Sequence, residues 1–255
     1  MYEAVMIAAT GLQNQQRRID TIANNVANVN SVGYKSARLD FKDALYTAGI
    51  VPGLPRTPAG NQQKGHGVMV AGIAKDYATG NFASTERQLD FAIEGEGFFE
   101  LSDANGNLCY TRNGSFYIDD DGWLVNGEGR FILDSDGGRI QAPYGTDTVR
   151  VTTDGMLTFI AEDEDEMTVA LGIYTFRNVT GLFTAGGGNY TTSLASGEKM
   201  TAYGASVRQG TLEMSNVNLA EEMTRLIRTQ RAFSLASKAL TTADEMEGIA
   251  NNLRR

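Results

Sequence analysis

Residues 1–29, MYEAVMIAATGLQNQQRRIDTIANNVANV, decide the fold. Val5, Leu12, Ile19 and Val26 fall seven apart, and Met1, Ala8, Ile22 and Val29 fill most of the interleaved positions, which is the 3,4 spacing of a helix with one apolar seam. The same step returns at the far end, where Leu219, Leu226, Phe233 and Leu240 recur every seven residues, joined by Met223, Met246, Ile249 and Leu253. Long helices at both termini and none between them invite packing on each other and on neighbouring subunits. Gln15 is a polar residue within the first seam, either a device that fixes register or an exposed position. The first helix is expected from about Tyr2 to about Val29. There Asn24, Asn25, Asn28 and Asn30 favour a defined turn before Gly33, because Asn is a mediocre helix former that tolerates left-handed backbone.

The last helix is expected to begin near residue 218. Ser215, Asn216 and Asn218 are all suitable N-caps, and Glu221 and Glu222 then complement the helix dipole. Between the helices the pattern changes. Phe41, Ala44, Leu45 and Tyr46 suggest a short helical turn, after which Pro52, Pro55 and Pro58 and several glycines forbid long regular structure, marking an extended arm. From about Val68 to Tyr203, period-two runs alternate with turn signals at Asn105-Gly106, Asn113-Gly114, Asn126-Gly127, Asp121-Gly122 and Asp154-Gly155, which argues for antiparallel hairpins. The acidic stretch 161–166 reads as a solvated loop. The fold class is therefore α+β, with long N- and C-terminal helices forming a coiled-coil core and a central, mainly antiparallel β domain.

Composition narrows the function classes. The 255 residues carry a net charge of -9, which disfavours nucleic acid and anionic lipid as partners. Gln13 to Arg18 interrupt the first apolar stretch long before membrane-spanning length, and no basic flank precedes it, so neither stable membrane insertion nor a cleaved signal peptide is expected. The single cysteine, Cys109, reads as a small half-buried strand residue. The single histidine, His66, lies in the arm without a second metal ligand. Gly95-Glu96-Gly97 runs into Phe98 and Phe99, which continue a strand where a phosphate loop would open a helix. Asp119, Asp120 and Asp121 before Gly122, and Asp134 and Asp136 before Gly137, lack the distal glutamate of a calcium loop and read as acidic turns. No catalytic constellation, cofactor site or metal site emerges, so the chain reads as a non-enzyme.

Two terminal helices can bury only one seam against each other. If about ten apolar side chains find cover between subunits at about 1.5 to 3 kcal/mol each, the gross gain is some 15 to 30 kcal/mol. Fixing a subunit costs on the order of 4 to 15 kcal/mol. Polymerisation through the termini is energetically open, and a contact that does not close on itself makes a helical tube.

Particular residues carry a resemblance. The segments AATG (8–11), IANNVANVNSVGYK (22–35), TGN (79–81), LDFAIEGEGFF (89–99), YTRNGSF (110–116) and RQGTLEMSNVN (208–218), with EEM, TQRAF and TADEM beyond, together resemble the bacterial flagellar basal-body rod and hook protein family, the nearest likeness within it being to distal rod subunits. Residues 142–203 carry little of it. The resemblance implies a helical homo-oligomer that adjoins other rod and hook proteins and is exported to the basal body without signal cleavage. It divides the chain into an N-terminal helix of a rod-core domain (1–34), an arm (35–70), a β domain (71–205) and a C-terminal helix of the core (206–255). The expected assembly surface comprises Val5, Leu12, Ile19, Ile22, Val26, Val29 and Tyr34 near the start and Leu219, Met223, Leu226, Thr229, Gln230, Arg231, Phe233 and Leu240 near the end. Another rod subunit of the same family, or a fibre-like module with a trimeric stalk, is the alternative.

Overall fold

The computed structural model describes residues 2–43, 47–48, 63–64, 67–161 and 166–252. The expectations for Ala44 to Tyr46, for most of the proline-rich arm, for His66, for the middle of the acidic 161–166 stretch and for Leu253 lie outside the described residues. The chain is α+β, with α1 at Tyr2–Ala27, α2 at Leu219–Asn252 and antiparallel β structure between them. Two compact units result. One comprises residues 1–27, 37–75 and 218–255, the other residues 28–36 and 76–217.

In the helical unit, α1 packs against α2 and against a β hairpin made by Ala37–Asp43 and Val68–Lys75. The first of these strands corrects the short helical turn expected around Phe41. Phe41 pairs across to Val70 after a bulge at Asp40/Phe41, and the partner strand carries the β-branched Val68, Val70 and Ile73. Helix α1 ends at Ala27, two residues before the expected limit. A turn follows in which Ser31 N donates to Asn28 O at 3.1 Å, as the Asn-rich stretch requires. Of the three N-cap candidates, Asn218 performs the role: its Oδ1 accepts from Ala220 N at 3.1 Å and Glu221 N at 3.3 Å.

The β unit is built on a nine-stranded sheet. Its path runs Phe183–Gly186, Asn189–Thr191, Leu108–Thr111, Phe98–Ser102, Phe131–Ile132, Leu124–Asn126 and Phe116–Ile118, with Ile173–Phe176 joining Phe98–Ser102 to Lys199–Thr201. A three-stranded sheet spans Thr146–Val151, Met156–Ala161 and Glu166–Ala170. Phe91, Phe99, Leu101, Phe116, Leu157 and Phe159 anchor the main core, and Phe98, Tyr110, Phe176 and Tyr190 form a second aromatic cluster. β structure continues past residue 205, because Ser206–Gln209 pairs with Phe91–Glu94 and Thr211–Glu213 with Phe82–Ser84. The free edge of Thr146–Val151 is closed by side-chain amides: Val149 N donates to Gln88 Oε1, Val151 N to Gln209 Oε1, and Gln209 Nε2 to Val149 O.

The hairpins share a turn that the dipeptide signals only partly capture. At Asp103, Asp119, Asn126 and Asp134 the side-chain Oδ1 accepts from the backbone N–H two and four residues on. The residue's own carbonyl accepts from a glycine three residues on, whose φ is positive. Thr152 repeats the arrangement more loosely with its hydroxyl. The acidic groups at Asp119 and Asp134 are thus occupied as turn acceptors. Asn113-Gly114 is a different case and corrects the hairpin expectation there. Gly114 sits where the chain passes Phe91, and an added Cβ would collide with the Phe91 carbonyl oxygen. Cys109 is fully buried, not half-buried. Its Sγ accepts from Arg130 at 3.2 Å, and burial pushes its thiol pKa up.

Candidate assembly surface

The helical unit presents two different layers along α2. The inward row is Glu222, Leu226, Thr229, Phe233 and Leu240, at 4, 3, 4 and 7 residue steps: Glu222 and Thr229 are buried, the other three half-buried. Beside it runs Leu219, Met223 and Ile227, at steps of four, which are 44%, 42% and 52% exposed. The apolar arc of α2 is therefore wider than the contact it makes within the unit. On α1, Ile22 is buried while Val5, Leu12, Ile19 and Val26 are half-buried. Gln230 and Arg231 are exposed, and Val29 and Tyr34 lie beyond α1, in the segment 28–36 of the β unit. The helices pack on each other with Leu226, Phe233 and Leu240 half-buried, while the heptad residue Leu219 is exposed together with Met223, Gln230 and Arg231.

Polar residues absent from the expected surface hold the helical unit together. Asn25 Oδ1 accepts from Ala37 N at 2.9 Å. Its Nδ2 donates to Ala37 O at 2.8 Å and to Glu222 Oε2 at 3.4 Å, so one buried amide joins α1, the hairpin and α2. Asn14 Nδ2 likewise donates to Val68 O at 2.5 Å. Arg225 closes the start of α2 with ion pairs to Glu221 and Glu222 at 2.6 and 2.8 Å. Asn25 belongs to the Asn-rich stretch that was expected only to make a turn before Gly33, and Asn14 lies between Gln13 and Gln15, earlier in α1. Their position on the hairpin side of α1 was the signal that a seam count misses.

In the β unit, the recognisable segments converge on one buried charge cluster. Lys35 donates to Glu213 Oε1 at 2.7 Å and to Ala78 O at 2.8 Å. Arg112 donates to Glu213 Oε2 at 3.3 Å, to Ile93 O at 3.0 Å and to Gly95 O at 2.6 Å. Gly80 N completes the carboxylate's partners at 2.8 Å, and Gly80 admits no side chain because a Cβ would meet Met214 O. Burial lowers the pKa of both Lys35 and Arg112, against the opposing pull of Glu213. Around this cluster the strand exit fixes the segment 28–36: Gly33 N donates to Glu213 O, Asn216 N to Tyr34 O, and Ser36 N to Asn216 Oδ1. A second ion pair, Lys199 to Glu100 at 2.7 Å, takes a hydrogen bond from the Tyr110 hydroxyl at 2.9 Å. These clusters are structural. Among the described residues no group of three or more His, Cys, Asp and Glu side chains is placed to hold a metal ion, and no helix is long and apolar enough to cross a membrane.

Three family models match the chain. They are the flagella basal body rod protein model over residues 6–35, the flagellar hook protein FlgE/F/G D1 domain over residues 92–159, and the flagellar basal body rod FlgEFG protein C-terminal model over residues 208–253. The chain is 38% identical to the flagellar basal-body rod protein FlgG of Borreliella burgdorferi across 100% of both chains, and 36% identical to FlgG of Bacillus subtilis, again across 100% of both. At 28% identity it is similar to the flagellar hook-basal body complex protein FlhP of Bacillus subtilis, over 100% of each.

Proposed function

Because this chain belongs to the flagellar basal-body rod protein family, we propose that copies of it polymerise through α1 and α2 into the tubular shaft that passes torque from the basal body to the hook. It is a structural subunit of that rod, not an enzyme. The observation that carries the polymerisation reading is the width of the apolar arc of α2, of which the intramolecular contact covers one side and leaves Leu219, Met223 and Ile227 open. In the assembled shaft the helices form the coiled-coil core, and the assembly surface comprises Val5, Leu12, Ile19, Ile22, Val26, Leu226, Thr229, Phe233 and Leu240 with the outward Leu219, Met223, Gln230 and Arg231. Val29 and Tyr34 lie where residues 28–36 leave α1. The core of the shaft then comprises α1, α2 and the hairpin packed on α1, and residues 76–217 form the outer layer.

Neighbours along the shaft are other rod and hook proteins, and the full-length similarity to FlgG favours the distal segment. Export proceeds without signal cleavage and without stable membrane insertion. The test is electron microscopy of the concentrated full-length chain beside a chain lacking residues 1–33 and 215–255. Tubes from the full-length chain alone are expected. Discrete trimers would replace the shaft by a stalk.

A further inference from the structure

We propose that the β hairpin of the helical unit receives the Leu219, Met223 and Ile227 face of α2 from a second copy of this chain. Each copy would then give one half of this contact to one neighbour and take the other half from another. The inference rests on the rod reading above and names which surfaces meet.

A groove of about 450 Å³ runs between α1 and the hairpin. Its wall on α1 is polar, with Arg17, Asp20 and Asn24, and its floor on the hairpin is apolar, with Leu39, Val70 and Ile73. Leu39 and Ile73 are cross-strand partners and so share one face of the hairpin. Leu39 is buried against the unit, yet Ile73 is 64% exposed. A groove with one polar wall and an apolar floor fits an amphipathic helix, whose apolar stripe takes the floor while its flank meets the wall.

The exposed stripe on α2 fits in length and in charge. From Leu219 to Ile227 it extends about 12 Å along the helix, and from Val70 to Ile73 the floor extends about 10 Å along the strand. Arg231, exposed, continues the same four-residue row beyond Ile227, and the α1 wall offers a docked row the carboxylate of Asp20, whose Oδ1 also accepts from Gln16 at 2.9 Å. Copies with a net charge of -9 repel at long range, so a contact needs this pairing of apolar faces and opposite charges. Ile73 of the floor and the three residues of the stripe are all exposed in one chain, so neither covers the other internally. They are also different surfaces, so the contact is heterologous, and a heterologous contact that does not close extends into a filament.

The experiment uses the full chain in isolated basal bodies from cells that produce two variants together, Ile73→Cys and Met223→Cys. Cys109 is buried and stays in place. Mild oxidation is expected to give a disulfide-linked pair holding one copy of each variant, absent when either variant is alone. A chain carrying both substitutions is expected to give a ladder of three or more copies. Rods that contain the chain but yield no mixed pair, or a disulfide to a different rod protein, would overturn the proposal and leave the rod reading standing. Absence of the chain from the rods would overturn both.

Discussion

Lys35 Nζ lies 2.7 Å from Glu213 Oε1 although the two residues are 178 positions apart, and both side chains are 1% exposed. Glu213 also holds Arg112 and the Gly80 amide, so it neutralises two buried cations at once. Glu213→Ala leaves both uncompensated and is expected to cost roughly 3 to 5 kcal/mol. Lys35→Met removes one cation while the carboxylate keeps Arg112 and Gly80, and is expected to cost less. Urea unfolding followed by the fluorescence of Trp123, the single tryptophan and a residue of the β unit, measures both. Equal losses would mean that Glu213 does not serve the two cations together.

Two Asn-Gly pairs that look alike in sequence are expected to respond oppositely to alanine. Gly114→Ala drives a Cβ into the Phe91 carbonyl and should destabilise by about 1 to 3 kcal/mol or more. Gly127 has nothing within 4 Å of an added Cβ, and Gly127→Ala should stay within about 0.5 kcal/mol of the parent. Thermal unfolding of the two variants side by side makes the comparison.

That pair shows what the sequence could and could not carry. Both helices, the antiparallel class and the acidic turns were legible because helical and strand periodicity and local turn chemistry are properties of neighbouring residues. The true turn signal was the three-residue step from Asp103, Asp119, Asn126 or Asp134 to its glycine, of which the dipeptide is a fragment. The strand at Ala37–Asp43 was missed because its partner lies beyond the proline-rich arm. The Lys35, Arg112 and Glu213 cluster was present only as motif letters. Charged residues read as surface until a long-range fold buries them together.

Alkaline titration should separate the tyrosines. Burial pushes Tyr77 up to about 12 from an ordinary value of 10.0, and raises Tyr110 and Tyr190 in the same direction, while hydrogen bonding to Ser115 and to Arg87 lowers Tyr117. The folded β unit thus holds protons on the buried phenols that the unfolded chain releases. Their stabilisation is intact below about pH 10 and is lost as pH rises through about 12. Phenolate absorbance is expected to rise in two phases, the later one coinciding with loss of the β unit's near-ultraviolet dichroism. A single phase in a chain that stays folded would contradict the burial account.

Asn25 offers a test of how the helical unit coheres. Asn25→Leu keeps the bulk but removes both hydrogen bonds to Ala37 and the one to Glu222. The stranded Ala37 amide and carbonyl should cost about 1 to 3 kcal/mol, while the Glu222 carboxylate keeps Arg225. Amide hydrogen exchange should then speed up at Ala37 and along the first turns of α2, with the β unit unchanged. Unaltered exchange at Ala37 would show that the amide is not what ties the hairpin to α1.

Phe233 and Met223 separate cohesion of the helices from assembly. Phe233 is half-buried on the inward row of α2, so Phe233→Asp places a charge in the α1 and α2 contact itself. Helical dichroism should fall and polymerisation should be lost, while Trp123 fluorescence reports an intact β unit, because the main core around Phe99 and Phe159 is formed without α2. Met223 is 42% exposed, so Met223→Asp charges only the outward stripe. The isolated chain should keep its full helical dichroism and still fail to sediment as polymer. Loss of both properties in both variants would mean that folding of the helices and assembly are a single event. Normal tubes from Phe233→Asp would remove the inward row from the shaft's seam and leave the outward stripe as the surface through which copies meet.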